Sequence, residues 1–374
     1  METRKVCMCK RCIMDNSSDK TITFDSQGFC NYCTEALERK KTVYFPNEEG
    51  KVRLEKTINE IKERSKNKKY DCIMGISGGL DSSYLAYIGW KYDLRVLAIH
   101  IDDGFDTEIS KENVKKLIKK TGFDYKVITP DAKQFNALTL AFMRAGVPNL
   151  AMPQDDVLFA FLYDQMKENK IEYFLSGENF ALECILQRGN SHRYTDVVNI
   201  KDINTRFGKE KLDKLKFLST REKLKDKYLG GIKTVRLLDY VDYNRDRAFA
   251  ELKEFCGFEY YGRKHLENIL TGFIQLYWFP KKFNFDKRKS HLSSMIISDQ
   301  MTREEALIEL SEPIYDEKQM DEWMNYISKQ LGISRDEFDK ICVQPAHQHE
   351  EYKVEDDTLA YKAMQLAMKV KARL

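Results

Sequence analysis

Residues 70–83 read YDCIMGISGGLDSS, and this stretch decides the fold of the chain. Residues 72–76 have the apolar composition of a short buried strand, Gly78 and Gly79 follow at a turn, and an amphipathic helix begins after them. Such a junction directs backbone N–H groups outward at a helix N-terminus, where the helix dipole also favours negative charge. The sequence therefore predicts an anion-binding loop over residues 77–83. No lysine follows the glycines as in the Walker pattern, which argues against a γ-phosphoryl kinase or a GTPase.

An ordinary glycine-rich turn, with Asp81 or Ser82 capping the helix, is the simpler alternative for this stretch. The chain after it predicts further strands at 94–101, 125–129 and 171–175 that alternate with helices, which is typical of a doubly wound parallel α/β sheet. Ligands of such sheets bind beyond the carboxyl ends of the strands. Two more polar motifs, Asp102-Asp103-Gly104 and Ser176-Gly177-Glu178-Asn179, follow predicted strands. We expect them to converge with the loop.

A triphosphate bound at the loop would bring Mg²⁺, which prefers a few carboxylates together with water and phosphate oxygens. The candidate ligands are Asp81, Asp102 and Glu178. Each has a simpler alternative: Asp81 can cap the helix, Asp102 and Asp103 can form a turn before a glycine, and Glu178 can be the neighbour of an N-cap.

The composition fits a globular protein of two or three domains, because the 374 residues are 42% hydrophobic and 32% charged. A formal net charge of +3 is too small to indicate nucleic-acid binding by itself. The N-terminus lacks the apolar core of a signal peptide, and no run approaches the ~18 apolar residues of a membrane helix. We therefore expect a cytoplasmic protein without membrane contact. The predicted domains are residues 1–45, 46–255 and 256–374.

Five of the nine cysteines fall within residues 7–33. Cys9 with Cys12, and Cys30 with Cys33, form two CxxC pairs at the spacing of a zinc ribbon, with a strand predicted at 21–24 and a hairpin turn at 25–28. Four thiolates would fill a structural Zn²⁺ site and leave no open position for catalysis. Cys7 could compete with Cys9 as a ligand. Buried thiols, a redox pair and an iron–sulfur cluster are the alternatives.

The C-terminal third combines aromatic and basic residues. The sequence predicts an aromatic helix that opens near Lys264, His265 and Glu267 and is stopped by Pro280, followed by the basic run at 281–289. Such a region could bind RNA, nucleotide phosphates or a diphosphate sugar, or could simply be a core helix with a solvated basic loop. Residues 302–305 and 334–337 read as capping boxes of two further helices. We expect a small helical domain that can also serve as an oligomer contact.

SGGLDSS between a strand and a helix closely resembles the PP-loop of the ATP pyrophosphatases, whose fold is adenine-nucleotide α-hydrolase-like. Most of the chain, in order, resembles the N-acetyl sugar amidotransferases of bacterial surface-polysaccharide and nonulosonic-acid pathways. The resemblance is carried by CKRCIMD and ITFDSQGFCNYC in the cysteine module, IDDGF, SGEN, and the blocks YYGRKHLENILTGF, PKKFNFDKRKSHLSSMI and MTREEAL. Members of that family commonly carry Asn in place of Asp103, which weakens a role for Asp103.

The resemblance implies that ATP and Mg²⁺ activate an acetamido group of a sugar nucleotide, typically UDP-linked, for conversion by ammonia to an acetamidino group. AMP and pyrophosphate would be released. It implies that the loop residues cradle pyrophosphate, and that a further set serves phosphate binding or proton transfer. The residues of the cradle are Ser77, Gly78, Gly79, Ser82 and Ser83. Further residues implied to bind the nucleotide are Asp81, Asp102, Gly177 and Glu178. The second set comprises Lys264, His265, Lys282 and Arg288, with Asp81 as a further catalytic candidate.

Ammonia needs a source, and the sequence has no glutaminase signature, so we expect a separate glutaminase subunit, as in the family. Two other functions remain open. A tRNA-modifying PP-loop enzyme, such as a thiolase or a lysidine synthase, would suit the zinc module and the basic aromatic region, although the weak net charge makes nucleic acid an unfavoured partner. A nucleotide-binding scaffold without catalysis is the third.

Overall fold

A parallel sheet forms the centre of the computed structural model, which describes residues 6–17, 19–262 and 266–371. The strands in the described part of the chain are β1 (Cys72–Gly75), β2 (Val96–Ile101), β3 (Asp124–Ile128), β4 (Tyr173–Leu175) and β5 (Lys233–Val235). Their order across the sheet is β3-β2-β1-β4-β5, and every neighbouring pair is parallel. This confirms the predicted α/β class, and it adds β5, which the sequence analysis did not predict.

Helices precede, connect and follow the strands. Those up to β5 are α1 (Asn31–Val43), α2 (Glu48–Arg64), α3 (Leu80–Lys91), α4 (Glu108–Thr121), α5 (Ala132–Ala145), α6 (Met152–Glu168), α7 (Phe180–Glu183), α8 (Val197–Phe207) and α9 (Thr220–Tyr228). Those after it are α10 (Arg245–Cys256), α11 (Ile269–Phe273), α12 (Phe279–Phe283), α13 (Lys287–Ile297), α14 (Arg303–Ser311), α15 (Glu317–Gln330), α16 (Arg335–Val343) and α17 (Leu359–Lys371).

The central strands β1, β2 and β4 are buried on both faces of the sheet, where successive side chains of a strand point to opposite sides. In β1, Cys72 and Met74 belong to one hydrophobic core, which also contains Leu85 of α3. Ile73 belongs to another core, which contains Leu162 of α6. Residues of β2 and β4 divide between the same two cores. The chain is therefore doubly wound, and the carboxyl ends of the strands share one edge of the sheet.

A further core joins α5 and α8 to the C-terminal helices. Phe142 of α5 packs in it with Phe273, Trp278 and Phe338, and the indole N–H of Trp278 donates to the carbonyl of Val147 at 3.0 Å. The C-terminal region thus packs directly on helices of the predicted central domain, residues 46–255. The domain boundaries at 45/46 and 255/256 stay predictions.

Two local predictions are wrong. Pro280 does not stop the aromatic helix: α11 continues through a π-helical segment, Ile274–Trp278, into α12, where Pro280 lies in the first turn. The wider π turn, in which the Phe279 N–H bonds the Ile274 carbonyl, accommodates a residue without an N–H. Residues 21–24 form no strand, only a single bridge between Phe24 and Cys30. A small module that is held together by its cysteines does not need a ladder of strand hydrogen bonds.

The other local predictions hold better. The turn at 25–28 closes with the Gly28 N–H on the Asp25 carbonyl, and Thr302 with Glu305 forms a full capping box at α14. At α16 only half of the predicted box forms: the Glu337 N–H donates to Ser334 Oγ at 3.2 Å, and the Glu337 carboxylate pairs with Arg144. Within the described residues, no helix combines the length and apolar character needed to cross a membrane.

Candidate functional site

The loop between β1 and α3 requires glycine at Gly78. This residue has a φ of +76°, and a Cβ added there would lie 2.3 Å from the backbone oxygen of Ser110 in α4. An L-residue with a side chain is therefore excluded both by conformation and by space. The loop passes under the N-terminus of α4 and delivers its following residues to the N-terminus of α3, as the sequence predicted.

Acceptors within the protein satisfy three backbone N–H groups of this loop. The Ser77 N–H donates to Ser82 Oγ at 3.3 Å, the Gly79 N–H to Ser77 Oγ at 3.2 Å, and the Leu80 N–H to the hydroxyl of Tyr261 at 2.8 Å. These donors are the ones that an anion at the helix N-terminus would engage. An anion bound at this helix N-terminus would therefore replace these acceptors.

A cavity of about 450 Å³ opens beside the loop at the carboxyl ends of β1, β2 and β4. Its walls come from the sheet edge, from α6 and from the C-terminal region. They include Gly75, Ser77, His100, Ile101, Asp103, Asp106, Gln154, Asp155, Phe159, Phe174, Gly177, Glu178, Glu267, Asn268, Thr271, Gln275 and Lys287. The apolar side near Phe159 and Phe174 suits an aromatic base, and the polar side near Ser77 suits phosphates. We call this space the nucleotide cavity. The three predicted strand-end motifs do converge on it.

Asp103, rather than Asp102, faces the nucleotide cavity from the end of β2. Asp102 accepts the Gly104 N–H at 3.1 Å and shapes the turn. Asp103 accepts from the amides of Gln154 and Asn268, and burial followed by repulsion from Asp106 raises the pKa of Asp103 to about 6.

The imidazole of His100 contacts the carboxylate of Asp106. Its Nε2 lies 2.9 Å from Asp106 Oδ2, and its Nδ1 lies 2.8 Å from the Ile76 carbonyl. Burial disfavours the charged imidazole of His100, but the contact with Asp106 outweighs this and raises its pKa. With acceptors at both ring nitrogens, the doubly protonated form is the one that satisfies every contact.

Asp81 is oriented away from the nucleotide cavity. Its Oδ1 accepts from the Tyr243 hydroxyl at 2.6 Å and from the Asn179 amide at 3.1 Å. Burial and the charge of Asp81 raise the pKa of Tyr243 well above its usual value, which keeps this hydroxyl a donor. Ser83 is fully buried in α3, so its hydroxyl does not line the cavity.

The motif after β4 lies against the loop. A Cβ on Gly177 would be 3.5 Å from the Ser82 nitrogen, which is ordinary contact distance. Glu178 lines the nucleotide cavity and pairs with Arg236. Of the three carboxylates predicted for Mg²⁺, Glu178 alone lines this cavity. Glu267, which the sequence analysis placed at a helix start, lines it as well.

A smaller cavity of about 80 Å³ lies on the other side of the α3 N-terminus. Asp81, Arg245, Tyr261, Arg288 and His291 are among its walls, and it shares Gln275 and Lys287 with the nucleotide cavity. Gln275 belongs to the π-helical segment and Lys287 begins α13. These two side chains therefore separate the cavities.

The basic run at 281–289 has several different environments. Lys282 donates to the carbonyls of Ile341, at 3.1 Å, and Gln344, and its ammonium lies 4.6 Å from the centre of the Trp278 ring. Arg288 pairs with Asp286 at 2.8 Å, and Lys289 pairs with Asp15 of the cysteine module. Lys287 is the residue of this run that lines the nucleotide cavity. Lys264 and His265 lie outside the described residues.

The four predicted cysteines form one buried cluster. Their sulfurs all lie within 4.8 Å of one another, with Cys9 and Cys33 3.7 Å apart and Cys12 and Cys30 3.6 Å apart. A tetrahedral Zn²⁺ with Zn–S bonds of about 2.3 Å needs sulfurs ~3.8 Å apart, so this donor set fits. Cys7 is exposed and outside the cluster. The geometry selects Cys9 over Cys7.

The cysteine module is fixed to the C-terminal helices. Arg303 donates to the carbonyls of Cys12 and Cys9 at 3.2 and 3.3 Å, and the Ile13 N–H donates to Ser293 Oγ at 3.2 Å. The module thus supports α13 and α14 from behind, and α13 begins with Lys287 at the cavity.

Strand β1, its glycine turn into α3 and the parallel strand order together define the architecture. The fold is a doubly wound parallel α/β sheet with a glycine turn at the carboxyl end of β1. The sequence analysis missed the cavity residues Asn268, Thr271, Gln275 and Lys287, because no short motif marks a helix that returns to the sheet edge.

Residues 267–369 match the model of the family described as LPS biosynthesis protein WbpG-like, C-terminal domain. This match confirms the predicted resemblance to surface-polysaccharide proteins for the C-terminal region. It begins at Glu267 and includes every residue that this region contributes to the nucleotide cavity. The WbpG-like region is therefore a wall of the site.

No curated protein matches this sequence. Solved structures resemble it in part, and two of them are synthetases. The NH3-dependent NAD synthetase from Campylobacter jejuni, in complex with the nitrate ion, is 20% identical over 35% of this chain with a TM-score of 0.28, and the match spans only 58% of the synthetase. The NMN synthetase from Francisella tularensis is 16% identical, covering 55% of this chain and 96% of the synthetase, with a TM-score of 0.30.

Proposed function

We propose that this protein is an ATP-dependent amidotransferase that converts the acetamido group of a UDP-linked N-acetyl sugar to an acetamidino group for a bacterial surface glycan. The glycan would be a lipopolysaccharide O-antigen or a nonulosonic-acid polymer. The observation that carries the proposal is the shared cavity: Ser77, the first residue of the loop, and residues of the WbpG-like region line the same 450 Å³ space. A nucleotide held by the loop would meet an acceptor held by the C-terminal helices.

The chemistry explains why ATP is required. The carbon of a neutral amide is a poor electrophile and its oxygen is a poor leaving group. Transfer of AMP to the amide oxygen, with release of pyrophosphate, makes an O-adenylyl imidate whose carbon ammonia can attack. AMP then leaves, and the oxygen of the acetamido group has been replaced by nitrogen.

The chain's own residues have distinct parts in this proposal. The loop from Ser77 to Ser82 would bind the pyrophosphate through its N–H groups, and charge stabilisation there is worth most in a partly enclosed site. Lys287 would neutralise a phosphoryl oxygen between the two cavities. Glu178 would take part in holding Mg²⁺, which supplies further charge neutralisation on the leaving group.

The cysteine cluster would hold a structural Zn²⁺. Four cysteine ligands leave no open coordination position, so the ion supplies folding energy to the module rather than a reactive water. Through Ile13 and Arg303 that module fixes α13 and α14.

Ammonia would come from a separate glutaminase subunit in the cytoplasm, where ATP and nucleotide sugars are also available. The purified chain should then use ammonium salts but not glutamine. Robust glutamine turnover by this chain alone would contradict that part of the proposal.

The deciding experiment supplies ATP, Mg²⁺, ammonium chloride and a panel of UDP-N-acetyl sugars to the purified chain. Mass spectrometry should find a sugar nucleotide in which one oxygen has been exchanged for NH, together with AMP and pyrophosphate in equal amounts. Accumulation of ADP, or no nucleotide cleavage with any acceptor, would contradict the proposal. Copurifying tRNA with steeply salt-dependent binding would instead support the tRNA-modifying alternative.

A further inference from the structure

The carboxylate of Glu267 lies directly at the PP-loop. Its Oε1 is 3.5 Å from Ser77 Oγ, and a Cβ added at Gly79 would come within 2.6 Å of the same oxygen. The absence of a side chain at Gly79 is what gives the carboxylate this position. A negative charge thus lies within the cradle that the proposed function assigns to pyrophosphate.

The backbone of Glu267 is held in place by the end of β2 and the start of α4. Its carbonyl accepts from the Thr107 N–H at 3.0 Å and from Thr107 Oγ1 at 3.2 Å. Asn268 forms an antiparallel bridge with Asp106, and the Ile269 N–H donates to the Phe105 carbonyl at 2.7 Å. The main chain therefore cannot withdraw without breaking this set of bonds.

A carboxylate and a pyrophosphate can share a cradle in one of two ways. The carboxylate can rotate away, or a divalent cation can lie between them and neutralise both. Of the three carboxylates predicted for the metal, Glu178 lines the cavity but pairs with Arg236. Asp81 bonds Tyr243 and Asn179 outside the cavity, and Asp102 shapes a turn. Asp103 and Asp106 are engaged by amides and by His100.

We propose that Glu267, from the WbpG-like region, is a ligand of the Mg²⁺ that accompanies ATP and pyrophosphate at the loop. This inference rests on the proposed function, because it needs a polyphosphate at the loop. It makes the C-terminal region a participant in nucleotide binding as well as in acceptor binding. The cation then links the two halves of the site at the moment when the polyphosphate binds.

The test measures pyrophosphate binding by calorimetry, with and without Mg²⁺, for the full chain and for Glu267→Gln. In the native chain Mg²⁺ should tighten binding. In Glu267→Gln this tightening should fall on the order of 10–100-fold, because a metal site has lost one of its oxygen ligands. Binding without Mg²⁺ should stay the same or improve, since a repelling charge has gone.

Controls separate a lost ligand from a damaged fold. Glu267→Asp keeps a carboxylate on a shorter side chain and should retain part of the Mg²⁺ effect. Glu112→Gln, on the exposed face of α4 and paired with Lys115 at 3.6 Å, should behave as the native chain. Thermal unfolding in the absence of ligand should show all three variants folded. If Glu267→Gln does not fold, the test rests on Glu267→Asp. The inference is then overturned if Mg²⁺ tightens pyrophosphate binding in Glu267→Asp as much as in the native chain.

Two further results would overturn the inference. Glu267→Gln could tighten pyrophosphate binding equally with and without Mg²⁺, in which case the carboxylate only blocks the cradle. The Mg²⁺ effect could also be the same in Glu267→Gln as in the native chain. If the native chain itself binds no Mg²⁺–pyrophosphate, the proposed function fails and the inference fails with it.

Discussion

The hydroxyl of Tyr261 accepts a hydrogen bond from the backbone N–H of Leu80, the first residue of α3, at an N···O distance of 2.8 Å. This N–H belongs to the helix N-terminus that the proposed function assigns to pyrophosphate. Burial, together with the charge of Glu267, raises the pKa of Tyr261 well above its usual value, so the hydroxyl stays neutral. A side chain of the protein therefore occupies a position that a phosphate oxygen would take.

Tyr261→Phe should remove this competitor. Without ligand, the Leu80 N–H loses its acceptor, which should lower the free energy of unfolding by about 1 kcal/mol. Pyrophosphate should bind about fivefold more tightly, because the same energy no longer has to be given up on binding. Calorimetry and thermal unfolding measure the two effects. Tyr92→Phe, at the opposite end of α3, is the matched control, and weaker pyrophosphate binding in Tyr261→Phe would contradict the competition.

Lys287→Met tests which basic residue of the C-terminal run acts on the substrates. Loss of a charge-assisted bond to a phosphoryl oxygen costs about 1.5–3 kcal/mol, so kcat/KM for AMP formation should fall on the order of 10–100-fold. Lys281→Met, in the same basic run and close to the Tyr277 ring rather than the cavities, should leave it unchanged. The sequence analysis assigned phosphate binding or proton transfer to Lys282 and Arg288 instead. If kcat/KM falls as far in Lys282→Met and does not change in Lys287→Met, the assignment to Lys282 is correct and the assignment to Lys287 is wrong.

The cysteine cluster predicts one Zn²⁺ per chain. Cys12→Ser should abolish the bound metal and lower the midpoint of thermal unfolding, because a small module without its ion loses the free energy of metal binding. Elemental analysis and calorimetric unfolding measure these effects. Cys7→Ser should change neither, since Cys7 is exposed and lies outside the cluster. Loss of zinc in Cys7→Ser, or iron in the native chain, would contradict the assignment.

Asp156, at the start of α6, predicts a pH dependence of stability. Burial raises the pKa of this fully buried carboxyl to about 8, although it accepts the Leu218 N–H at 3.0 Å. In the unfolded chain the pKa is about 3.9, so between about pH 4 and about pH 8 unfolding releases a proton and stability falls as the pH rises. One such group can change the free energy of unfolding by at most about 1.4 kcal/mol per pH unit.

Asp156→Asn should remove this contribution, because the amide does not ionise and its oxygen still accepts the Leu218 N–H. Denaturant unfolding of the native chain and the variant across this pH range gives the two slopes. Asp164→Asn, on the same helix and paired with Lys216 near the surface, is the control and should keep the native slope. An unchanged slope in Asp156→Asn would show that Asp156 is ionised in the folded protein.

Prediction from the sequence succeeded where a local rule sufficed. Cys9, Cys12, Cys30 and Cys33 were found from their spacing, since two thiolates on each tight turn need only a second pair to complete a site. Local signals also bound helix α5, because the Asp131 side chain caps its N-terminus and Gly146, in the left-handed conformation, ends it. Strand β5 was missed, because its short polar sequence, Lys233–Val235, has no apolar periodicity and pairs only at the edge of the sheet.

The sequence by itself determined the parallel α/β class, the glycine turn between β1 and α3, and the four members of the cysteine cluster. Each depends on chain neighbours, or on a pattern that repeats with the period of one element. Only the tertiary structure decided that Asp103 rather than Asp102 faces the cavity, that Asp81 faces away from it, and that Glu267 and Lys287 line it. Those side chains come together through contacts between residues that lie up to two hundred positions apart in the sequence. The spacing of residues along the chain does not show which face of a helix packs against the sheet edge.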